Sequence, residues 1–304
     1  MNLILTSSPH IHGKKSTRGI MLDVIISLLP ALIAGTIIFG LKALLVVSVT
    51  VLAAVGSEAL FNIIAKKEQT VGDFSAVVTG LLLGLNLPAD APLWTAVIGA
   101  VFSIVVVKCF FGGIGANFAN PAICGRVFML IAFSSLAKPS FPLGVDAVSS
   151  ATYLSGGEYT TLELFLGNIG GAIGETSKLA LIIGGIYLLV RRVISFHIPL
   201  VYVGSVYLFS FLFGGFDALA ALKEILAGGL ILGAFFMATD YVTSPHTKWG
   251  KVIFAAGAGL VTTLIRFYGN YPEGVSFAIL LMNILTPYIS SFTGRKLFGG
   301  KKYE

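Results

Sequence analysis

The chain has little charge and almost no cysteine. Of its 304 residues only 11% are Asp, Glu, Lys or Arg, against 56% hydrophobic, and the mean hydropathy is +0.93. An ordinary soluble domain carries about 25% charged residues, so a water-exposed globular fold is excluded and a polytopic membrane protein is expected. The two cysteines, Cys109 and Cys124, lie in or beside apolar stretches with no Cys or His neighbour. They exclude a disulfide framework, and a metal or iron–sulfur site of about four ligands would have to borrow from another chain. Buried, inert thiols are the simpler reading. The net charge of +6 gathers at the ends of apolar runs, which argues for a lipid bilayer and against nucleic acid. No cleavable signal peptide is expected, because the first apolar run is full-length and lacks a small-residue cleavage site.

What is abundant is apolar length. A helical span takes roughly 20 apolar residues, and the windows predict about ten spans, near 20–40, 43–64, 74–87, 93–111, 117–133, 162–190, 198–213, 218–239, 252–268 and 275–292. The sixth is long enough to hold a break near Gly170 and Gly171, and broken helices at membrane depth line sites because freed backbone groups need partners there. Lys14, Lys15, Arg18, Lys66, Lys67, Lys108, Arg191, Arg192, Lys248, Lys251 and the C-terminal Lys and Arg residues fall on one side of such a layout. The positive-inside rule then puts both termini in the cytoplasm and the 138–161 loop outside. A loose repeat relates Phe74–Arg126 (Pro88, Trp94) to Gly228–Pro287 (Pro245, Trp249). The expected architecture is therefore all-α, in two related halves of five helices, 1–137 and 162–304, joined by that loop. The 36 glycines suit close helix packing, or close approach of a cofactor to the backbone.

Two blocks of residues stand out chemically. The first is Gly144-Val145-Asp146-Ala147-Val148-Ser149-Ser150-Ala151-Thr152-Tyr153-Leu154, a hydroxyl-rich loop in a greasy chain; its hydroxyls are open to modification, although short Ser/Thr runs are common in loops. The second is Gly112-Gly113-Ile114-Gly115-Ala116-Asn117-Phe118-Ala119-Asn120. If helical, Asn117 and Asn120 share a face, and each amide offers a donor and an acceptor to the edge of a heterocycle; helix capping is the alternative. Ser8-Pro9-His10 and Ser244-Pro245-His246 read as turn and cap elements more readily than as proton shuttles. Asp23, Glu58, Arg126, Glu175, Lys178 and Asp240 fall in or beside spans, where ionisable groups are expensive, and Glu175 and Lys178 have i,i+3 spacing.

The Asp146-Ala147-Val148-Ser149-Ser150-Ala151-Thr152 run resembles the flavinylation signature of the Rnf and sodium-pumping NADH:quinone reductase families, with serine at position 150 where glycine is common. Together with Ser7-Ser8-Pro9-His10-Ile11-His12, the Asn117–Asn120 block and Met237-Ala238-Thr239-Asp240-Tyr241-Val242-Thr243-Ser244-Pro245, it makes the whole chain similar to the Rnf D-subunit family. The chain lacks the longer N-terminal extension of the B-subunits of the quinone reductases, which favours the Rnf side. The resemblance implies FMN esterified through its phosphate to Thr152, with Asp146, Ser149, Ser150 and Ala151 as the attachment motif. It also implies a non-covalent riboflavin near Gly112, Gly113, Asn117 and Asn120.

The same resemblance implies a membrane electron carrier within a ferredoxin:NAD⁺ oxidoreductase that moves Na⁺ or H⁺. Its partners would be the other Rnf subunits (A, B, C, E and G), above all the flavin-carrying G-subunit. The chain itself carries neither a soluble Rossmann unit for NAD⁺ nor a cluster motif for ferredoxin, so it is not expected to be catalytic alone. A passive channel or solute transporter with the same two-half architecture is the competing expectation, and a purely structural anchor a third.

Overall fold

The computed structural model describes residues 16–133, 136, 138–143, 152–269 and 274–294. Among them the regular structure is helical, and the sole β-type pairing is an antiparallel bridge between Ser140 and Gly171. In chain order the helices are α1 (Thr17–Phe39), α2 (Leu41–Ile64), α3 (Ser75–Leu85), α4 (Leu93–Val101), α5 (Pro121–Ala132), α6 (Thr161–Leu166), α7 (Lys178–Val190), α8 (His197–Phe213), α9 (Ala218–Leu226), α10 (Leu230–Leu232), α11 (Lys248–Tyr268) and α12 (Val275–Thr293). Two of them run on as π-helical turns, α4 through Phe102–Cys109 and α10 through Gly233–Met237.

Among the described residues α1, α2, α11 and α12 are long and apolar enough to cross a membrane, and α9 with α10 makes a fifth candidate bent by 66°. The other expected spans appear as shorter apolar helices, α3, α4, α5, α7 and α8. The surface is inverted relative to a soluble protein. Ile37, Leu41, Leu52, Val190 and Phe292 are exposed, whereas Asp23, Glu58, Lys108, Arg126, Glu175 and Lys178 are buried. Lipid accepts the apolar side chains and the bundle interior takes the charges, as expected where hydrocarbon replaces water.

Three expected spans differ from the observed helices. The 162–190 window is two helices, because Gly167 adopts φ 101° and ends α6, and helix resumes only at the Ser177 cap of α7. The freed backbone finds partners elsewhere: Ile173 N donates to Leu87 O (3.0 Å), Gly174 N to Leu85 O (2.7 Å), and Gly171 N to Ser140 O (2.9 Å). A Cβ on Gly174 would lie 2.6 Å from Leu85 Cβ, so only glycine permits this crossing of backbones. The 218–239 window breaks at Ala227–Gly229, where the Arg266 guanidinium caps α9 through the carbonyls of Glu224 (2.6 Å) and Ala227 (3.0 Å). The 117–133 window becomes helical only at Pro121, so Asn117 and Asn120 do not share a helical face. Asn120 is the N-cap and Pro121 the first helical residue, an arrangement that fixes the start.

Packing follows a pattern. α2 packs on α3 and α4, α8 packs on α9 and α11, α1 meets α7, and α5 meets α12. Small residues allow the closest of these contacts: Gly184 of α7 lies against the Ser27 carbonyl of α1, as in small-residue interfaces of membrane helices.

Candidate functional sites at the two ends of one helix

Thr152 lies at a cleft of about 850 Å³, its open mouth included, lined among others by Arg126, Lys138, Thr152, Tyr153, Glu175 and Gly228. Thr152 is half-buried and precedes a single 3₁₀ turn, Tyr153–Ser155. Its carbonyl accepts from Ser155 N and Gly157 N, 2.9 Å each, which pins the backbone. Its hydroxyl donates to the Ser155 hydroxyl at 2.9 Å, a partner that rotates freely. The cleft lies where the two helix breaks converge, since Glu175 of the first packs on Gly229 of the second. Arg126 on α5 is buried, as is Lys178, whose ammonium donates to the Glu175 carbonyl. Burial, together with the Glu224 and Asp217 carboxylates, pushes the Tyr153 phenol up from its ordinary value, so it remains a neutral donor. Positive side chains, glycines and a reachable hydroxyl make a wall suited to a phosphoryl group. Residues 144–151, and with them Asp146, Ser149, Ser150 and Ala151, lie outside the described residues.

The second block borders a larger cavity of about 1250 Å³, its open mouth included. Apolar side chains from α1, α3, α7 and the α10 turn, including Ile20, Val24, Leu82, Leu188, Phe235 and Phe236, form most of its wall. Polar groups reach it at Thr17, Ser75, Lys108, Asn117, Asn120, Thr239 and Asp240. Gly115 lines it; Gly112 and Gly113 sit beyond the wall, with φ of 118° and 98° in the turn that brings the chain back toward α5.

The two asparagines are not equivalent. Asn120 Oδ1 accepts from Ala122 N (3.0 Å) and Ile123 N (3.4 Å) and its Nδ2 donates to Met237 O (3.2 Å). Its amide therefore caps α5 and ties it to the α10 turn. Asn283 of α12 joins this knot, accepting from Asn120 N and donating to Thr243 O at 3.2 Å each in the amide orientation that satisfies both neighbours. Asn117 commits only its Nδ2, to Ala119 O (2.9 Å), whereas Asn120 commits both ends of its amide, so Asn117 is the better placed of the two to meet an occupant. Asp240 accepts from Val242 N (3.3 Å) and the Thr243 hydroxyl (3.1 Å), and burial pushes its carboxyl above the usual range. The π-helical turns that supply Lys108, Phe235 and Phe236 to this cavity are a feature sequence inspection missed; such turns occur frequently at functional sites.

One helix joins the sites. Asn120 and Pro121 border the cavity, while Arg126 and Leu130 border the Thr152 cleft; at 1.5 Å per residue, Pro121 and Leu130 are roughly 14 Å apart along α5. Of the remaining intramembrane charges, Asp23 binds Arg191 (3.2 Å) and the Tyr187 hydroxyl (3.0 Å) between α1 and α7, a structural tie. Ser244-Pro245-His246 lies in the turn before the Thr247 cap of α11, and Ser8-Pro9-His10 is outside the described residues. Cys109 and Cys124 are buried free thiols.

The chain is similar to known proteins over its whole length. The D-subunit of the Na⁺-translocating ferredoxin:NAD⁺ oxidoreductase complex of Acetobacterium woodii is 46% identical, covering 100% of this chain and 98% of its own. The corresponding subunit of the proton-translocating complex of Clostridium ljungdahlii is 40% identical, with 98% and 96% covered. The D-subunit of the ion-translocating oxidoreductase complex of Escherichia coli O7:K1 is 34% identical, with 98% and 99% covered. The NQR2, RnfD, RnfE family matches residues 4–299, and with an apolar bundle and charged interior of the kind a membrane subunit needs, the chain belongs to that family.

Proposed function

We propose that this protein is the D-type membrane subunit of an Rnf ion-translocating ferredoxin:NAD⁺ oxidoreductase, carrying FMN on Thr152 and riboflavin in the Asn117 cavity. The observation that carries the reading is the pairing of sites: a reachable threonine at a cleft that holds Arg126, Lys138 and Glu175, and a larger, mostly apolar cavity, at opposite ends of α5. The relatives' names place them in oxidoreductase complexes, which favours this reading over a passive channel. Flavins, when bound, supply one- and two-electron carriage, and the protein's task is to hold and tune them. Arg126 and Lys138 would neutralise the phosphate at Thr152, and Tyr153 would donate to the bound group. In the cavity, Asn117 would meet the ring edge, Phe235 and Phe236 its faces, and Thr17, Thr239 and Asp240 the polyol tail.

The packing of α1 on α7 and α5 on α12 supports two related halves of five helices, and the Lys and Arg bias supports ten crossings with both termini cytoplasmic and the Thr152 loop outside. On that side it would face the flavin-carrying G-subunit, with the A, B, C and E components completing the complex. The relatives' names include a Na⁺-translocating and a proton-translocating complex, and the transported ion would be one of these two.

The test is flavin fluorescence of the denatured chain on a gel, after expression in a host that performs the attachment. A fluorescent band in wild type that vanishes in Thr152→Ala is expected. A band of equal strength in the variant, or none in wild type, overturns the assignment.

A further inference from the structure

We propose that Lys108 is a positioning residue whose fixed positive charge sets the reduction potential of the flavin held in the Asn117 cavity. This rests on the riboflavin reading given above. Lys108 is buried in an otherwise apolar stretch, on the π-helical turn Phe102–Cys109. Its ammonium donates to Glu58 Oε1 (2.8 Å), Glu58 Oε2 (2.9 Å) and Ser75 Oγ (2.6 Å), so the charge is held at one point. Glu58 in turn accepts from the Thr70 hydroxyl at 2.6 Å, and Ser75 donates to Asp73 Oδ1.

The cluster is one-sided. Lys108 and Ser75 line the cavity, whereas Glu58 and Asp73 do not. Lys108 therefore contributes to the wall while its three N–H groups are held by Glu58 and Ser75, and the two carboxylates of the cluster lie outside the lining. Asp240 and Tyr241 are the other ionisable groups on that wall, and Asp240 is engaged by Val242 N and the Thr243 hydroxyl. Reduction adds electron density to the ring system, so a nearby cation in a dry site favours the reduced form.

The experiment uses the assembled complex in detergent, with extractable riboflavin counted and the potentials of both flavins measured spectroelectrochemically. Lys108→Gln is expected to retain riboflavin while its preference for the reduced form falls at least tenfold, about 30 mV for a two-electron couple. Lys108→Arg should stay near wild type, Glu58→Gln should shift the potential upward, and the flavin on Thr152 should move in none of them. An unchanged potential in Lys108→Gln overturns the proposal. Should that variant not assemble for want of a partner to Glu58, Glu58→Gln is compared with Lys108→Gln/Glu58→Gln, which differ by the lysine charge alone. Equal potentials there also overturn it, and a lower one in the double variant supports it. A wild-type complex with no extractable riboflavin would instead defeat the underlying assignment of the cavity.

Discussion

The two ends of α5 are built differently. Around Thr152 the walls are helix breaks and short turns, held by backbone hydrogen bonds between loops. Around Asn117 they are helix faces, two π-helical turns and a knot of amides that commits Asn120 and Asn283. A group attached covalently needs a peptide that a modifying enzyme can reach and little further affinity. A group held without a covalent bond must be enclosed on most sides by preformed walls. Loop backbone therefore frames one end of α5 and the side chains of packed helices the other.

Thr152→Ala is the sharpest way to separate the two ends, because it should abolish covalent flavin while extractable riboflavin remains at the wild-type ratio. Loss of both would mean that the sites are not independent. Asn120→Ala should act on the other end. It removes the α5 cap and the bond to Met237 O, a destabilisation of about 1–3 kcal/mol, and should lower the Tm and the extractable flavin while the gel band persists. Gly174→Val forces a side chain against Leu85 at the first break and should cost a similar 1–3 kcal/mol. Its expected signature is the reverse, a weaker gel band with extractable flavin kept. The smallest effect belongs to Tyr202→Phe, which deletes the 2.8 Å hydroxyl contact with Thr262 between α8 and α11 at about 1 kcal/mol. A change in either flavin there would show that the α8–α11 contact is coupled to the sites.

Much of this was legible in the chain itself. Apolar windows located the described helices to within a few residues, and the sixth window's glycines announced its break. The Thr152 motif stood out because hydroxyl-rich loops are rare in so greasy a sequence. The asparagine pair was only half legible. Spacing of three suggested a shared face, but Pro121 starts the helix one residue after Asn120, so the second amide is consumed as a cap. The Lys108–Glu58 pair was not legible, since the partners are 50 residues apart, and Lys108 read as a charge at a span end.

The sequence by itself determined that the protein lives in lipid, that it is helical, and that Thr152 is its most distinctive hydroxyl, because each rests on composition or on residues adjacent in the chain. Tertiary structure alone decided that Arg126, Glu175 and Thr152 share a cleft, that Lys108 borders a cavity and is paired with Glu58 from another helix, and that one short helix joins the two sites. Those facts depend on where broken helices cross, and a crossing is fixed by packing and by freed backbone groups finding partners far along the chain.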